Sequence, residues 1–300
     1  MDYIIQQIIN GISVGSIYAL IALGYTMVYG IIKLINFAHG DVFMVGSFVG
    51  LFTAKILAAQ GFPPMVVFIG ALIISMTASA VLGVVIERTA YKPLRKVSRI
   101  AVLITAVGVS FLLENGGIYI LGPQAKGFPE ILEKQQFNLF GSVQVDSNQV
   151  MILVVTVILM VVLQYIVHFT KTGKAMRAVS YDLEAARLMG INVDRTISYT
   201  FAIGSALAAA AGVIFGMTYN SVDPLMGVIP GLKAFVAAVL GGIGSVPGAL
   251  VGGLLLGVIE TGVTSVGYSL WRDGVVFAVL ILILIFRPSG LFGKNVREKV

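Results

Sequence analysis

Long apolar runs bounded by polar or charged residues recur from one end of the chain to the other. Crossing the hydrocarbon of a bilayer takes about 20 helical residues, and that ruler divides the chain into spans. The candidates are 5–30, 37–58, 64–86, 100–121, 150–169, 196–219, 226–245 and 248–287, the last as one pass or two. The pattern predicts an all-α integral membrane protein, a polytopic helical bundle of eight to nine apolar segments. It reads as a single domain over residues 1–300 with a polar loop at about 170–195. The first two segments adjoin through a charged, glycine-containing break, which leaves one of them open to being re-entrant or discontinuous. The stretch 122–149 mixes Lys126, Glu130, Glu133, Lys134 and Asp146 with proline and reads as an exposed connection.

Composition agrees with the pattern. Hydrophobic residues make up 58% and charged residues 11% of the 300 residues, against roughly 25% charged in soluble domains. So few charges do not cover a water-facing surface. The net charge of +6 raises the question of nucleic acid, and the placement of the charges answers it. Arg88, Lys92, Arg95, Lys96 and Arg99 share one connection, Lys171, Lys174, Arg177, Arg187 and Arg195 another, and Lys294, Arg297 and Lys299 the C-terminus. That is a positive-inside pattern, placing these stretches in the cytoplasm. A nucleic-acid reader needs a basic face with stacking aromatics on a folded soluble module, and the sequence offers none.

The N-terminus carries Asp2 and no basic residue, and the run from Tyr3 to Ile32 is too long for a signal-peptide core. This end is therefore expected outside. Between Arg195 and Lys294, both inside, an even number of crossings is needed. That splits 248–287 at the turn-like run Gly267 to Asp273 and gives nine segments.

Metal and enzyme chemistry find little support. There is no cysteine, and His39 and His168 form no helical ligand pair, so no metal site is expected. Gly11 to Gly15 spell G-x-S-x-G, but Ser13 falls inside a helical apolar run and not on a strand-to-helix elbow, which leaves an intramembrane serine protease as a remote alternative. The run Leu240 to Ala249 breaks a phosphate-cradling pattern at Pro247, and Gly173-Lys174 lacks the rest of a Walker loop. Gly241, Gly242, Gly244, Pro247 and Gly248 read instead as a glycine-rich helix break. Glycine also recurs at four-residue spacing, as in Gly11/Gly15, Gly46/Gly50, Gly212/Gly216, Gly248/Gly252 and Gly253/Gly257, which suits close helix packing in lipid.

The basic stretch after the fifth span contains Tyr181-Asp-Leu-Glu-Ala-Ala-Arg-Leu-Met-Gly190. Asp182 suits a helix cap, Glu184 the positive helix N-terminus and Gly190 a left-handed end. The short helix is either a docking element with a low-relief Ala185-Ala186 face or a plain amphipathic connector.

Glu184-Ala-Ala followed by Gly190 resembles the E-A-A-x-x-x-G coupling loop of ABC importer permeases. Lys33-Leu-Ile-Asn-Phe-Ala-His-Gly-Asp-Val-Phe-Met-Val-Gly46 and Ala238-Val-Leu-Gly-Gly-Ile-Gly-Ser-Val-Pro-Gly-Ala249 are similar to signatures of high-affinity branched-chain amino-acid permeases, and the likeness runs from Ile5 to Phe292. The resemblance implies a non-catalytic permease subunit of the plasma (bacterial inner) membrane, importing branched-chain or related neutral amino acids. It implies a second homologous permease, two cytoplasmic ATPase subunits that bind the ATP, and a substrate-binding protein outside. The chain itself would hold no cofactor, and Asp182, Glu184, Ala185, Ala186 and Gly190 would couple it to the ATPase. Relatives that carry urea or short amides, and an ATPase-independent secondary transporter or channel, are the alternatives.

Ionisable residues within spans are costly and point to function. Five qualify: Asp41, Lys55, Glu114, Lys233 and Glu260. Lys55 and Glu114 lie near span ends and are expected to snorkel, with Lys233 placed beside them as a weaker case. Asn36, His39, Gly40 and Asp41 cluster where a helix would be interrupted, and unwound backbone at membrane depth must line a cavity or be buried in protein. This break is the candidate substrate path, or else a polar knot that holds the interruption and touches no substrate.

Overall fold

The computed structural model describes residues 2–95, 97–133, 135–140 and 143–293. Lys96, Lys134, Lys294, Arg297 and Lys299 lie outside the described residues. The chain is a multi-pass helical membrane protein. Among the described residues eight helical stretches are long and apolar enough to span a bilayer.

In order, the first half comprises α1 (Asp2–Ile32), α2 (His39–Ala59), α3 (Pro64–Ile86), α4 (Arg99–Leu121) and α5 (Ser147–Phe169). A π-turn at Glu87–Tyr91 and a short 3-10 turn at Lys92–Leu94 follow α3. Two polar-loop helices come next, α6 (Lys171–Tyr181) and α7 (Leu183–Leu188). The second half holds α8 (Val193–Tyr219), α9 (Val228–Gly241), α10 (Val246–Ser265) and α11 (Arg272–Phe286). Among the described residues this makes nine apolar segments, with 248–287 divided into two helices around Gly267, whose φ is +93°.

The expected span at 226–245 is shorter in the structure. With 14 residues α9 stays below spanning length, reaching about 21 Å of the roughly 30 Å of hydrocarbon. Its end is chemical: Gly242 turns to φ +102° and Gly244 to +95°, and the Ser245 hydroxyl then caps α10 by accepting from Gly248 N at 3.2 Å.

Two ends of the bundle are defined by contacts between elements distant in sequence. At one end Tyr3 Oη donates to the Ser265 carbonyl at 2.9 Å, and β1 (Lys126–Gly127) pairs antiparallel with β4 (Ser221–Val222). The antiparallel pair β2 (Gln136–Phe140) and β3 (Val143–Asp146) lies there too, with Gln6 Oε1 accepting from Gln144 N. We call this the strand end. The stretch 122–149 is thus less open than its composition suggests, because Phe128 is buried and packs against Gly216. The other end gathers the close of α1, the π-turn, α6, α7 and the start of α8, and we call it the basic end. There the segment after α11 folds back, Leu291 N and Phe292 N donating to the carbonyls of Leu240 and Gly241 at 2.9 Å.

Helices α1 and α8 are the most buried, whereas α4, α5 and α11 expose most of their apolar surface. Such a surface suits lipid, and the buried pair forms the scaffold of the bundle. Gly11 and Gly15 on α1 meet Gly253 and Gly257 on α10 at backbone contact. The G-x-S-x-G string is therefore a packing stripe here, with Ser13 buried inside α1.

Candidate functional site

The interruption between α1 and α2 begins at Lys33, whose φ of +52° ends α1 in the left-handed region. That conformation is uncommon away from glycine and disfavoured by about 1–2 kcal/mol for an L-residue. Residues 34–36 run without helix, and the chain starts again at His39. The restart is deep: the His39 ring packs at Gly24 of α1 and near Gly204 of α8, about 12 Å inside the end of α1 by helical rise. Gly40 then touches the start of α9, where an added Cβ would meet the Gly227 carbonyl and lie 3.3 Å from Gly231 Cα. No larger residue fits that crossing. At this depth Asn36, Ala38, His39 and Gly40 are buried in protein, as irregular backbone there requires, while Lys33 is exposed and Leu34, Ile35 and Phe37 are half-buried.

The four residues singled out at the break divide into two pairs. Asn36 and His39 are knotted into the bundle. Asn36 Oδ1 accepts from Tyr91 Oη at 2.8 Å, and the His39 ring stacks tilted on Tyr25 with centroids 4.6 Å apart. Gly40 and Asp41 instead line a cleft of about 170 Å³ between α2, α4 and α9, with Phe37, Ser110, Glu114 and Leu232 around it. Ser110 Oγ donates to Asp41 Oδ2 at 2.5 Å and lies 3.5 Å from Glu114 Oε1. Glu114, expected to snorkel from a span end, therefore belongs to this cleft. Among the described residues no lysine or arginine pairs with Asp41. The cleft thus sets two carboxyl groups and the hydroxyls of Ser110 and Tyr25 against an apolar wall, a surface that suits a small solute carrying a positive group and an apolar body.

Lys233 does not snorkel. It is 2% exposed, and its Nζ reaches Glu260 Oε1 at 2.7 Å and Asp273 Oδ1 at 2.6 Å. Tyr18 Oη donates to the other Glu260 oxygen at 2.8 Å. Burying a lone ammonium is prohibitive, so the lysine is held by carboxylates from two other helices. This clamp joins α1, α9, α10 and α11. Glu260 and Asp273 lie 27 and 40 positions from the lysine and Tyr18 lies 242 before Glu260, separations that no local pattern announces.

A second cluster sits at the basic end. Glu87, fully buried in the π-turn, accepts from Ser198 Oγ at 2.6 Å and pairs with Arg95. Arg95 Nη1 also reaches Asp194 Oδ1 at 2.8 Å, and Lys92 Nζ reaches Asp194 Oδ2 at 2.8 Å. The end of α3 is thereby bolted to the first turn of α8.

Beside this bolt lie α6 and α7. Gly173, Met176 and Val179 give α6 a buried stripe while Lys171, Lys174 and Arg177 face outward. Asp182 Oδ1 caps α7 by accepting from Glu184 N and Ala185 N, both at 2.9 Å, and Gly190 leaves it at φ +80°. Ala186 packs inward, while Glu184, Ala185, Arg187, Leu188 and Met189 are exposed. An exposed Leu-Met pair on a capped helix beside basic residues is a surface fit for a protein partner.

A multi-pass bundle with a broken helix, a cleft at depth that holds two carboxyl groups and an exposed short helix at one end has the parts of a membrane permease. The chain belongs to the family described as branched-chain amino acid transport system / permease component, whose model matches residues 7–284. It is 44% identical over 302 residues to the high-affinity branched-chain amino acid transport system permease protein BraD of Pseudomonas aeruginosa, covering 99% of this chain and 98% of the relative. It is 43% identical over 312 residues to LivH, the protein of the same description from Escherichia coli, with the same coverage. A solved structure, PsaBC from Streptococcus pneumoniae in complex with Fab, aligns over 96% of this chain and 93% of that chain at 14% identity with a TM-score of 0.48.

Proposed function

We infer that this chain is the non-catalytic permease subunit of an ATP-binding-cassette importer that carries branched-chain amino acids into the cell. The observation that carries the reading is the capped, outward-facing α7 at the basic end of a bundle of this family. In this reading the basic end faces the cytoplasm, which the clustered Lys and Arg support, and the strand end with the N-terminus faces outside. One of two ATPase subunits receives the loop at 170–195 in a cleft through Asp182, Glu184, Ala185, Ala186 and Gly190, and the two ATPases bind the ATP, so the permease needs no cofactor. A second homologous permease completes the membrane body, and a binding protein delivers substrate to the strand end.

The Asp41 cleft borders the substrate path. Its carboxyl groups face the ammonium of a passing amino acid, and Phe37, Val107 and Leu232 face the branched side chain. The test is labelled-leucine uptake in cells lacking the chromosomal copy, complemented with wild type or Asp41→Asn. Asparagine still accepts from Ser110, so the fold is kept, while loss of a charge-assisted contact of about 1.5–3 kcal/mol lowers uptake by about tenfold or more. Unchanged uptake with Asp41→Asn removes the charge from the path, and unchanged uptake without the chain overturns the substrate.

A further inference from the structure

We propose that Arg95, Glu87 and Tyr91 form the mechanical link that carries movement of α7 to the broken helix and hence to the Asp41 cleft. The proposal rests on the importer reading above and assigns positioning roles that the family motifs do not contain. Its geometry starts at α7. Ile191 N donates to the Ala186 carbonyl at 3.0 Å, and Asn192 Oδ1 caps α8 by accepting from Arg195 N at 3.0 Å. Four residues separate the two helices, so a shift of α7 displaces the first turn of α8, where Asp194 lies.

From Asp194 the contact passes to Arg95 and from Arg95 to the buried Glu87, which Ser198 also holds. Glu87 and Tyr91 open and close one π-turn, a rare geometry often found at functional sites. Tyr91 is 2% exposed, its ring lies on Phe201 of α8, and its hydroxyl ends on Asn36. Among the described residues this is the one side-chain hydrogen bond that reaches segment 33–38. Phe37, next to Asn36, lines the Asp41 cleft.

The segment so gripped has room to move. On one side lies a cleft of about 240 Å³ bounded by Lys33, Leu34, Arg95, Tyr181 and Leu183. On the other lies one of about 310 Å³ bounded by Tyr29, Leu34, Ile35 and Leu103. Close-packed interiors transmit a push, and a segment flanked by space yields to it. The α8–π-turn bolt is the stiff part, and residues 33–38 are the compliant part.

The test uses the complete importer in proteoliposomes, with binding protein, measuring leucine accumulated and ATP hydrolysed together. Tyr91→Phe keeps the ring on Phe201 and deletes only the hydroxyl; Asn36→Ala removes the same bond from the other side. Each is expected to lower leucine moved per ATP by about fivefold or more, the lower range of measured couplings, with ATP hydrolysis retained. The double variant should be no worse than the worse single one, because both delete one contact. A purely structural bond gives the opposite result: leucine and ATP turnover fall together, or effects add, and either overturns the proposal. Wild-type stoichiometry in both singles also overturns it. If wild type itself moves leucine without consuming ATP, the importer reading fails instead, so the two failures are distinct.

Discussion

Replacing Gly257 with valine is expected to abolish accumulation of the folded chain. The α1–α10 crossing is built at backbone contact, and a Cβ at Gly257 would run into the Gly11 carbonyl and the backbone of Gly15. Those atoms belong to a helix spine and have no rotamer to escape into. Overpacking a close-packed site costs about 1–3 kcal/mol when side chains yield, and more when backbone must part. Lipid offers no hydrophobic force to press the helices together again. Detergent-extracted chain eluting as a single species should fall by about tenfold or more, since 1–2 kcal/mol already shifts a folding equilibrium 5- to 30-fold. Gly262→Ala, on the same helix with open space around it, is the control and should match wild type. Equal yields for both variants would show that α1 and α10 do not meet as described.

The buried clamp gives the second large effect. Lys233→Met keeps volume but leaves Glu260, 6% exposed, and Asp273 without their shared ammonium. Arg272 Nε stands 3.7 Å from Glu260 and 3.5 Å from Asp273, at the edge of solvent, and takes up part of the charge. Breaking a buried pair from one side costs about 3–5 kcal/mol. The thermal midpoint of the purified protein should therefore drop by roughly 6–10 °C. Adding Glu260→Gln removes the stranded charge and retains an acceptor for Tyr18, so the double variant should recover at least about half of the loss. A midpoint unchanged by Lys233→Met would mean that the ammonium is solvated in the membrane-embedded protein.

Much of the fold was legible because it is dictated locally. Spans follow from run length, and Gly242 and Gly244, whose positive φ values suit glycine, mark the break after α9, although the span drawn at 226–245 ran past it. The Asp182 cap and the Gly190 exit of α7 are likewise written within ten residues. The four-residue glycine spacing announced close contact, though not that Gly11 and Gly15 would face Gly253 and Gly257. Partner choice between distant helices is a tertiary outcome, and the same limit hid both ion clusters. Lys233 looked like a candidate for snorkelling because its carboxylates arrive from two other helices. Glu87 and Tyr91 gave no sign of the π-turn, whose register depends on packing against α8. Ser110 and Glu114 joined Asp41 for the same reason, since α4 and α2 meet only in the folded bundle.

The depth at which α2 restarts and the brevity of α9 belong together in physical terms. Both start where Gly40 and Gly227 touch, and the glycines there leave no side chain between the two backbones. A crossing so tight fixes the depth at which α2 restarts, and with it the position of Asp41 beside α4. The cleft is thus set by backbone packing.

The central claim is that this chain moves its substrate by mechanical work received through α7. The measurement that tests it most directly is ATP-dependent leucine uptake into proteoliposomes holding the complete importer, with wild-type chain or Glu184→Lys at equal amounts in the membrane. Glu184 is exposed and makes its charge available to a partner, so reversing the charge should abolish uptake while leaving the fold intact. Uptake at the wild-type rate with Glu184→Lys, or uptake by the wild-type chain without ATP, would contradict the account.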